Sequence, residues 1–325
     1  MKAVIIAAGK AERLRPLTST KPKQLIPIGG RPQLEWLIKG VAEAGIKDIL
    51  IVTHYMEEKI KHQFNYGSDL GVKLSYTRQK EMRGTADAFR YAEDFTADED
   101  FIGMNGDLYL SPGIFKEIVK DHKEGELTVA GLERDPYLYG ALNLQGDRVQ
   151  GIIEKPAPDQ VFSNIASLPI YLFEQRIFSH LSRLKPSKRG ELELQDAIQM
   201  LIDSYGKVRG ELVSSRMNLT SAQDLLEINL YFLQKEAPQK IQDPVQIGRN
   251  VTLIPPYFLG ANTIIGDQCV IGPQVYVESN AHIGQGCSIS NTILLQGSRL
   301  DLPQVIKNTI IFPEQSTHQN QGSTQ

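Results

Sequence analysis

The sequence predicts an α/β domain built on a mixed, mostly parallel sheet, followed by a short domain of stacked repeats. Three observations carry this. Short apolar runs alternate with amphipathic helical stretches up to about residue 236, a polar segment with two prolines (EAPQKIQDP) follows, and an apolar residue then recurs every six positions. The expected divisions are a first domain over 1–236, a linker over 237–245, a repeat domain over 246–312 and a disordered polar tail over 313–325.

KAVIIA opens the chain as an apolar run suited to a strand buried on both faces. RPQLEWLIKGVAEAG reads as a helix, with Pro32 near its start, Gly45 past its end, and Leu34, Leu37, Ile38 and Val41 on one face. DILIVT, VKLSYT and FIGMN read as further strands, with helices expected near 56–63 and 84–94. This β-α-β alternation implies a largely parallel sheet with helices on both faces, whose ligands bind at the carboxyl ends of the strands.

In the repeat region, Ile247, Leu253, Leu259, Ile265, Ile271, Val277, Ile283, Ile289 and Leu295 keep the six-residue period without a slip. Val251, Thr263, Cys269, Val275, Ala281, Cys287 and Ile293 follow four places later. A fixed short period means stacked identical units sharing one core. Such hexapeptides resemble the left-handed parallel β-helix, with three hexapeptides to a triangular coil and about three coils here. Cys269 and Cys287 would then stack as core residues.

With 325 residues, 41% hydrophobic and 22% charged, the chain reads as an ordinary globular protein, and a net charge of −3 argues against a general nucleic-acid or membrane-surface binder. Two cysteines give no disulfide framework. No run of eighteen apolar residues is present and MKAVIIAAG is too short for a signal peptide, so a cytoplasmic protein is expected. The histidines at 54, 62, 122, 180 and 318 lack metal-ligand spacing and are assigned to surfaces; Trp36 is expected in the core, and Asp121 and Glu124 at solvated ends.

The loop AAGKAERLRPLTSTKPKQLIP follows the first strand at its carboxyl end. A glycine and turn residues there let backbone N–H groups face a polyphosphate, with Arg13 and Lys23 to neutralise it. Taken alone, it reads equally as a solvated basic loop. It does not stand alone: the loop resembles the signature of the sugar-1-phosphate nucleotidyltransferases, matching at Gly9, Arg13, Leu14, Pro16, Thr18, Pro22 and Lys23. RQKEMRGTADA, NGDLYL, LYG, GIIEKP, LKPSKRGELELQDAIQMLI and DLLEINLYFL continue the resemblance in order, closest to long-form glucose-1-phosphate thymidylyltransferases with a C-terminal left-handed β-helix.

The resemblance implies a Rossmann-like fold and transfer of a nucleotidyl group from an NTP, dTTP or UTP favoured, to a hexose 1-phosphate with release of pyrophosphate. It implies catalytic Arg13, Lys23 and Asp107; nucleotide contacts from Ala8, Gly9, Gln24, Gln79, Gly84 and Thr85; and sugar-phosphate contacts from Gly140, Glu154, Lys155 and Arg189. Mg²⁺ is expected on Asp107 and Asn218. The partners implied are the NTP, the sugar phosphate and further copies of the chain. Four departures stand out: Ala11 for a glycine, Glu12 for a threonine, Pro169 for a glycine beside the sugar site, and Asn218 for the second metal aspartate, with Arg216 at a usual tryptophan. If position 11 needs positive φ, the methyl costs roughly 1 kcal/mol. These departures leave open a homologue that binds a nucleotide sugar as a sensor without making it. Acyl transfer by the repeat domain would need a catalytic histidine; His282 is the one candidate and is read as a turn residue.

Overall fold

A computed structural model of the chain describes residues 1–110, 113–120, 122–123, 126–133, 139–213, 217–235 and 238–313. Arg216, Asp121, Glu124 and the tail beyond Pro313 lie outside the described residues. The chain divides into two compact units, one of residues 1–25 and 33–218, the other of residues 26–32 and 219 onward.

The first unit is built on a nine-stranded sheet in the spatial order Lys73–Arg78, Asp48–Thr53, Lys2–Ala7, Phe101–Asn105, Ile165–Phe173, Leu127–Glu133, Val208–Leu212, Arg148–Glu154 and Gly140–Gln145. The four expected strands are present and mutually parallel, with Ala3 opposite Ile49 on one side and Ile102 on the other. The expectation of a mostly parallel sheet holds only for that half. From Phe101–Asn105 onward the pairings are antiparallel except Leu127–Glu133 with Val208–Leu212. For one pair the physical reason is local connection: Gly140–Gln145 and Arg148–Glu154 are joined by two residues, a hairpin that only antiparallel strands permit.

Helices cover both faces. On one, Leu34, Leu37, Ile38 and Val41 of Gln33–Glu43 pack with Phe115 and Ile118 over Ile5, Ile51 and Met104. On the other, Phe89 and the Ala197, Ile198 and Leu201 stripe of Leu194–Tyr205 close over Val4, Val52 and Phe173. Trp36 is only half-buried, edge-on to Tyr109 with ring centroids 5.8 Å apart. Two histidines assigned to surfaces are not there. His180 is 7% exposed on an amphipathic helix face, and the His122 ring is held by Asp100 at 2.9 Å. Pro169 lies where the register of Ile165–Phe173 against Leu127–Glu133 shifts, the kind of bulge that tolerates a residue without an N–H.

In the second unit, strands pair in parallel with strands 18 residues on, along three ladders: Tyr257 with Val275, Ile264 with His282, and Val270 with Ser288. Leu259, Ile265, Ile271, Val277, Ile283 and Ile289 fill the interior with the free, buried Cys269 and Cys287. The six-residue period does slip, once. Val277 pairs with Leu294, not Leu295, and Val275 with Thr292, so the last coils are offset by 17 residues. The corner between Ile289 and Thr292 holds two residues where Gly272–Gln274 holds three, and Asn291 makes the tighter turn with φ 47°. The polar segment expected as a linker contributes a strand, Gln239–Ile241, paired with Tyr257–Leu259. The helix Ala222–Lys235, expected to close the first domain, belongs to this unit.

So does the hairpin of residues 26–32. Gly29 and Gly30 turn at φ 59° and 80°; a Cβ on Gly29 would lie 2.3 Å from the Phe232 ring, and one on Gly30 2.6 Å from Phe258. Gly29 N–H donates to Asn229 Oδ1 at 3.1 Å and Gly30 N–H to Tyr276 Oη at 2.8 Å. Among the described residues no helix is long and apolar enough to cross a membrane.

Candidate active site

The carboxyl ends of three of the four parallel strands deliver Ala8 and Gly9, Gln79, Asn105 and, two residues on, Asp107. The crevice opens between Lys2–Ala7 and Phe101–Asn105, where the strand order reverses and ligands of open α/β sheets bind. A cavity of about 240 Å³ lies there, and Ala8, Gly9, Lys23, Gln24, Gln79, Gly84, Thr85 and Asp107, all expected from sequence, line it.

The loop after the first strand is fixed by its own hydrogen bonds. Ala11 adopts φ 50°, ψ 51°, the left-handed conformation that makes its methyl costly, and its carbonyl accepts from Leu14 N–H at 3.0 Å and Thr18 Oγ1 at 2.9 Å. Leu14 is buried; Glu12 and Arg13 are exposed, and Arg13 lies outside the cavity lining. A Cβ on Gly9 would meet nothing within 4 Å, so the backbone there faces open space.

Lys23 Nζ donates to Asp107 Oδ2 at 2.6 Å, with the side chains 15% and 17% exposed. Asp107 Oδ1 is buried and has no hydrogen-bond partner among the described residues; the same is true of Gln24 Oε1 and Asn105 Oδ1. Three residues that line one cavity therefore each carry a buried side-chain oxygen without a donor among the described residues. Asn218 pairs with Leu108 in a two-stranded ladder, so its backbone runs beside the residue that follows Asp107. Among the described residues no group of three or more His, Cys, Asp or Glu forms a ready-made metal cluster.

Gly84 shapes the opposite wall. At φ 117° it is restricted to glycine, and a Cβ would lie 2.5 Å from the Leu192 carbonyl oxygen. Glu191 lines the cavity, and the segment it belongs to reaches a second cluster. There Arg189 holds Glu193 at 2.8 Å and Glu154 at 3.7 Å, while Ser187 Oγ donates to Glu193 at 2.8 Å. Gly140 pairs with both Glu154 and Ser167, whose buried hydroxyl has no partner among the described residues. Burial pushes the Glu154 carboxyl above its usual range, with Lys155 and Arg189 opposing. Burial also raises Asp196, with help from Glu193. Lys155 is exposed at φ 43°, its N–H donating to the Tyr139 carbonyl at 2.7 Å.

Sequence reasoning missed Asn105 and Glu191, although both stand inside quoted motifs, NGDLYL and RGELEL. It also missed Asp87, which holds Gln79 in place. Carboxylates and amides next to a recognised residue are the signal that could have found them.

Comparison with known proteins gives the chain's family. The model of the nucleotidyl transferase family matches residues 2–252, and that of the GMPPB C-terminal domain matches residues 253–320. The low-salt glycan biosynthesis nucleotidyltransferase Agl11 of Haloferax volcanii is 35% identical over 248 residues, 74% of this chain and 68% of that protein. A glucose-1-phosphate thymidylyltransferase of Streptomyces griseus is 28% identical over 332 residues, 96% of this chain and 88% of that protein. A Bacillus anthracis structure, described as a glucose-1-phosphate thymidylyltransferase in complex with a sucrose, superposes with a TM-score of 0.63 at 28% identity, covering 71% of this chain and 94% of that one. The chain therefore belongs to the nucleotidyl transferase family and is a sugar-1-phosphate nucleotidyltransferase by descent.

Proposed function

We propose that the protein transfers a nucleotidyl group from dTTP or UTP to a hexose 1-phosphate, giving an NDP-sugar and pyrophosphate. The observation that carries this reading is the cavity at the switch point, where the Ala8–Gly9 backbone and Lys23 stand opposite Asp107 and its unmet oxygen. An oxygen of the sugar phosphate attacks the α-phosphorus in line, the bond to the β-phosphate oxygen breaks, and pyrophosphate leaves opposite. The attacking oxygen is already anionic, so alignment and charge neutralisation are what the protein supplies.

In this reading Lys23 and Arg13 hold the triphosphate and the departing pyrophosphate, the latter from its exposed loop. Gln24, Gln79, Gly84 and Thr85 hold the nucleoside. Gly140 and Glu154 take the sugar hydroxyls, and Lys155 and Arg189 its phosphate. The cluster supports this because Arg189 is shared between two glutamates and can exchange one for a phosphate. The donor set fits Mg²⁺: Asp107 offers one buried carboxylate oxygen with no partner among the described residues, and Mg²⁺ is commonly bound by one or two carboxylates plus substrate phosphates. Asp107, with Asn218, would hold it. When bound it supplies charge stabilisation to the α-phosphate oxygens.

We further read the stacked coils as a left-handed β-helix, and the chain as a cytoplasmic homo-oligomer. Leu302 and Val305, 71% and 72% exposed at the last coil, offer apolar surface for such contacts.

The test is pyrophosphate release with Mg²⁺, glucose 1-phosphate and each of dTTP, UTP, GTP, ATP and CTP, run beside Asn218→Asp. Turnover with dTTP or UTP is expected. Silence from both proteins with every common hexose 1-phosphate, alongside tight binding of an NDP-sugar, would replace catalysis with sensing.

A further inference from the structure

Gln79 is 2% exposed and lines the nucleotide cavity, yet its amide is not free to rotate. Its Nε2 donates to Asp87 Oδ2 at 2.9 Å and to the Gly84 carbonyl at 3.3 Å. Both hydrogens of the NH₂ are thereby engaged, and among the described residues no donor reaches the amide oxygen. Which end of a glutamine amide faces a given neighbour follows from that neighbour's chemistry. Asp87 is 1% exposed, and Arg83 and Arg90 approach its other oxygen at 3.3 and 3.8 Å. A carboxylate so flanked has only lone pairs to offer, so the nitrogen of Gln79 must face it and the oxygen must be the end left for a ligand.

We propose that Asp87 is a positioning residue that locks Gln79 as a hydrogen-bond acceptor, making the site selective for bases that carry a ring imino N–H. This deepens, and rests on, the reading of the cavity as a nucleotide site. Uracil and thymine carry that donor at N3 and guanine at N1; cytosine and adenine have a lone pair at the corresponding atom. An acceptor facing a lone pair leaves two buried acceptors without a donor, a mismatch by which hydrogen-bonding sites reject near-isosteric ligands. Asp87 touches no substrate in this arrangement and acts through Gln79. Its position two residues into the helix Thr85–Arg90 couples the base-reading glutamine to the element that also carries Thr85.

The substitution that separates this from a structural role is Asp87→Asn. The arginines claim the one remaining side-chain oxygen and the new amide nitrogen turns towards Gln79, which favours the reversed glutamine amide over the longer 3.3 Å hold of the Gly84 carbonyl. Its NH₂ then faces the cavity and suits a lone pair at the base.

The experiment is equilibrium binding to the full chain with Mg²⁺ present. The ligands are UTP, dTTP, GTP, CTP and ATP, with the imino-methylated counterparts of the first three, on the natural protein and on Asp87→Asn. The expected result for the natural protein is preference for one of the first three over CTP and ATP. Methylation at the imino nitrogen of the preferred nucleotide should weaken binding roughly 10- to 100-fold. In Asp87→Asn the ratio of that nucleotide to CTP should fall at least tenfold, a change that a merely loosened fold would not produce. The methylated nucleotides need no variant, so the proposal stays testable if Asp87→Asn fails to fold. Equal binding of the methylated and parent forms of the preferred nucleotide, or CTP or ATP binding to the natural protein as well as all of the first three, would overturn the role of Asp87. Binding of none of the five nucleotides would instead overturn the nucleotide site itself, and the inference with it.

Discussion

Replacing Lys23 by methionine removes one pole of the site while keeping the length and apolar character of the side-chain stem. At the observed 2.6 Å, a unit charge pair at an effective dielectric of 20 attracts by about 6 kcal/mol before desolvation is counted. Removing one partner of a fully buried pair destabilises by about 3–5 kcal/mol, because the other charge is left behind. The two side chains here keep 15% and 17% of their exposure, so some water reaches the orphaned carboxylate, and a loss of about 2–3 kcal/mol is expected. Asp107 Oδ1 already lacks a partner among the described residues, so the orphaned group cannot turn its other oxygen to a waiting donor. The assay is denaturant unfolding in EDTA of the natural protein, Lys23→Met, Asp107→Asn and the double variant. A coupling energy of about 1–3 kcal/mol is expected from the cycle. Pyrophosphate release by Lys23→Met should fall at least 100-fold, in line with loss of about 2.7 kcal/mol or more of transition-state stabilisation. Additive single variants with undiminished turnover would refute the two-pole reading of the cavity.

Three further outcomes are expected. Ala11→Gly should stabilise the chain by about 0.5–1 kcal/mol, since φ 50° strains a residue with a Cβ; a lower thermal midpoint would show that the loop is not held in that conformation. Gly84→Ala should cost about 2–3 kcal/mol and impair nucleotide binding, because the new methyl meets the Leu192 backbone; a neutral result by denaturant titration and nucleotide binding would contradict the close approach. Glu154→Gln should raise the thermal midpoint more at pH 8 than at pH 4. Burial raises the folded-state carboxyl above 4.5, so the native state holds its proton more tightly, and the stability this gives is full below 4.5 and lost as pH rises through the folded value. A gain independent of pH would count against it. The same variant should lose sugar-phosphate affinity.

The parallel half of the sheet was legible because each strand is an uninterrupted apolar run bounded by a helix with its own stripe. The antiparallel half was not, because alternation reveals a strand and not its direction. The residues at strand ends could be placed at one cavity from order alone, since a doubly wound sheet collects them at one edge. Two features were hidden for different reasons. The slip at Asn291 escapes counting because Leu294 and Leu295 are both apolar, and only the pairing of Val277 tells which one continues the ladder. The grouping of residues 26–32 with the C-terminal unit depends on rings more than 200 positions away, which no local pattern encodes. Asp87 was passed over because its role is relational: a lone aspartate in a helix reads as a solvated charge until Gln79 is seen against it.

The unmet groups around the cavity also say what kind of ligand completes it. Gln24 Oε1, Asn105 Oδ1 and Asp107 Oδ1 are all buried without a partner among the described residues; the two amides can turn either end to a ligand, whereas the Asp107 carboxylate only accepts. Each such group costs about 1–3 kcal/mol when left unsatisfied. A bare triphosphate brings further acceptors and offers Asp107 nothing; it is complementary to Lys23, to backbone N–H groups and to the amide nitrogens of Gln24 and Asn105. A nucleotide carrying a divalent cation is complementary to both sets. The expected consequence is that Mg²⁺ strengthens UTP binding at least tenfold over EDTA, and that Asp107→Asn removes most of that gain while leaving the weak metal-free binding in place. Equal affinity with and without Mg²⁺ would mean that Asp107 Oδ1 serves a donor on the nucleoside or on water, and that the metal on Asp107 should be abandoned.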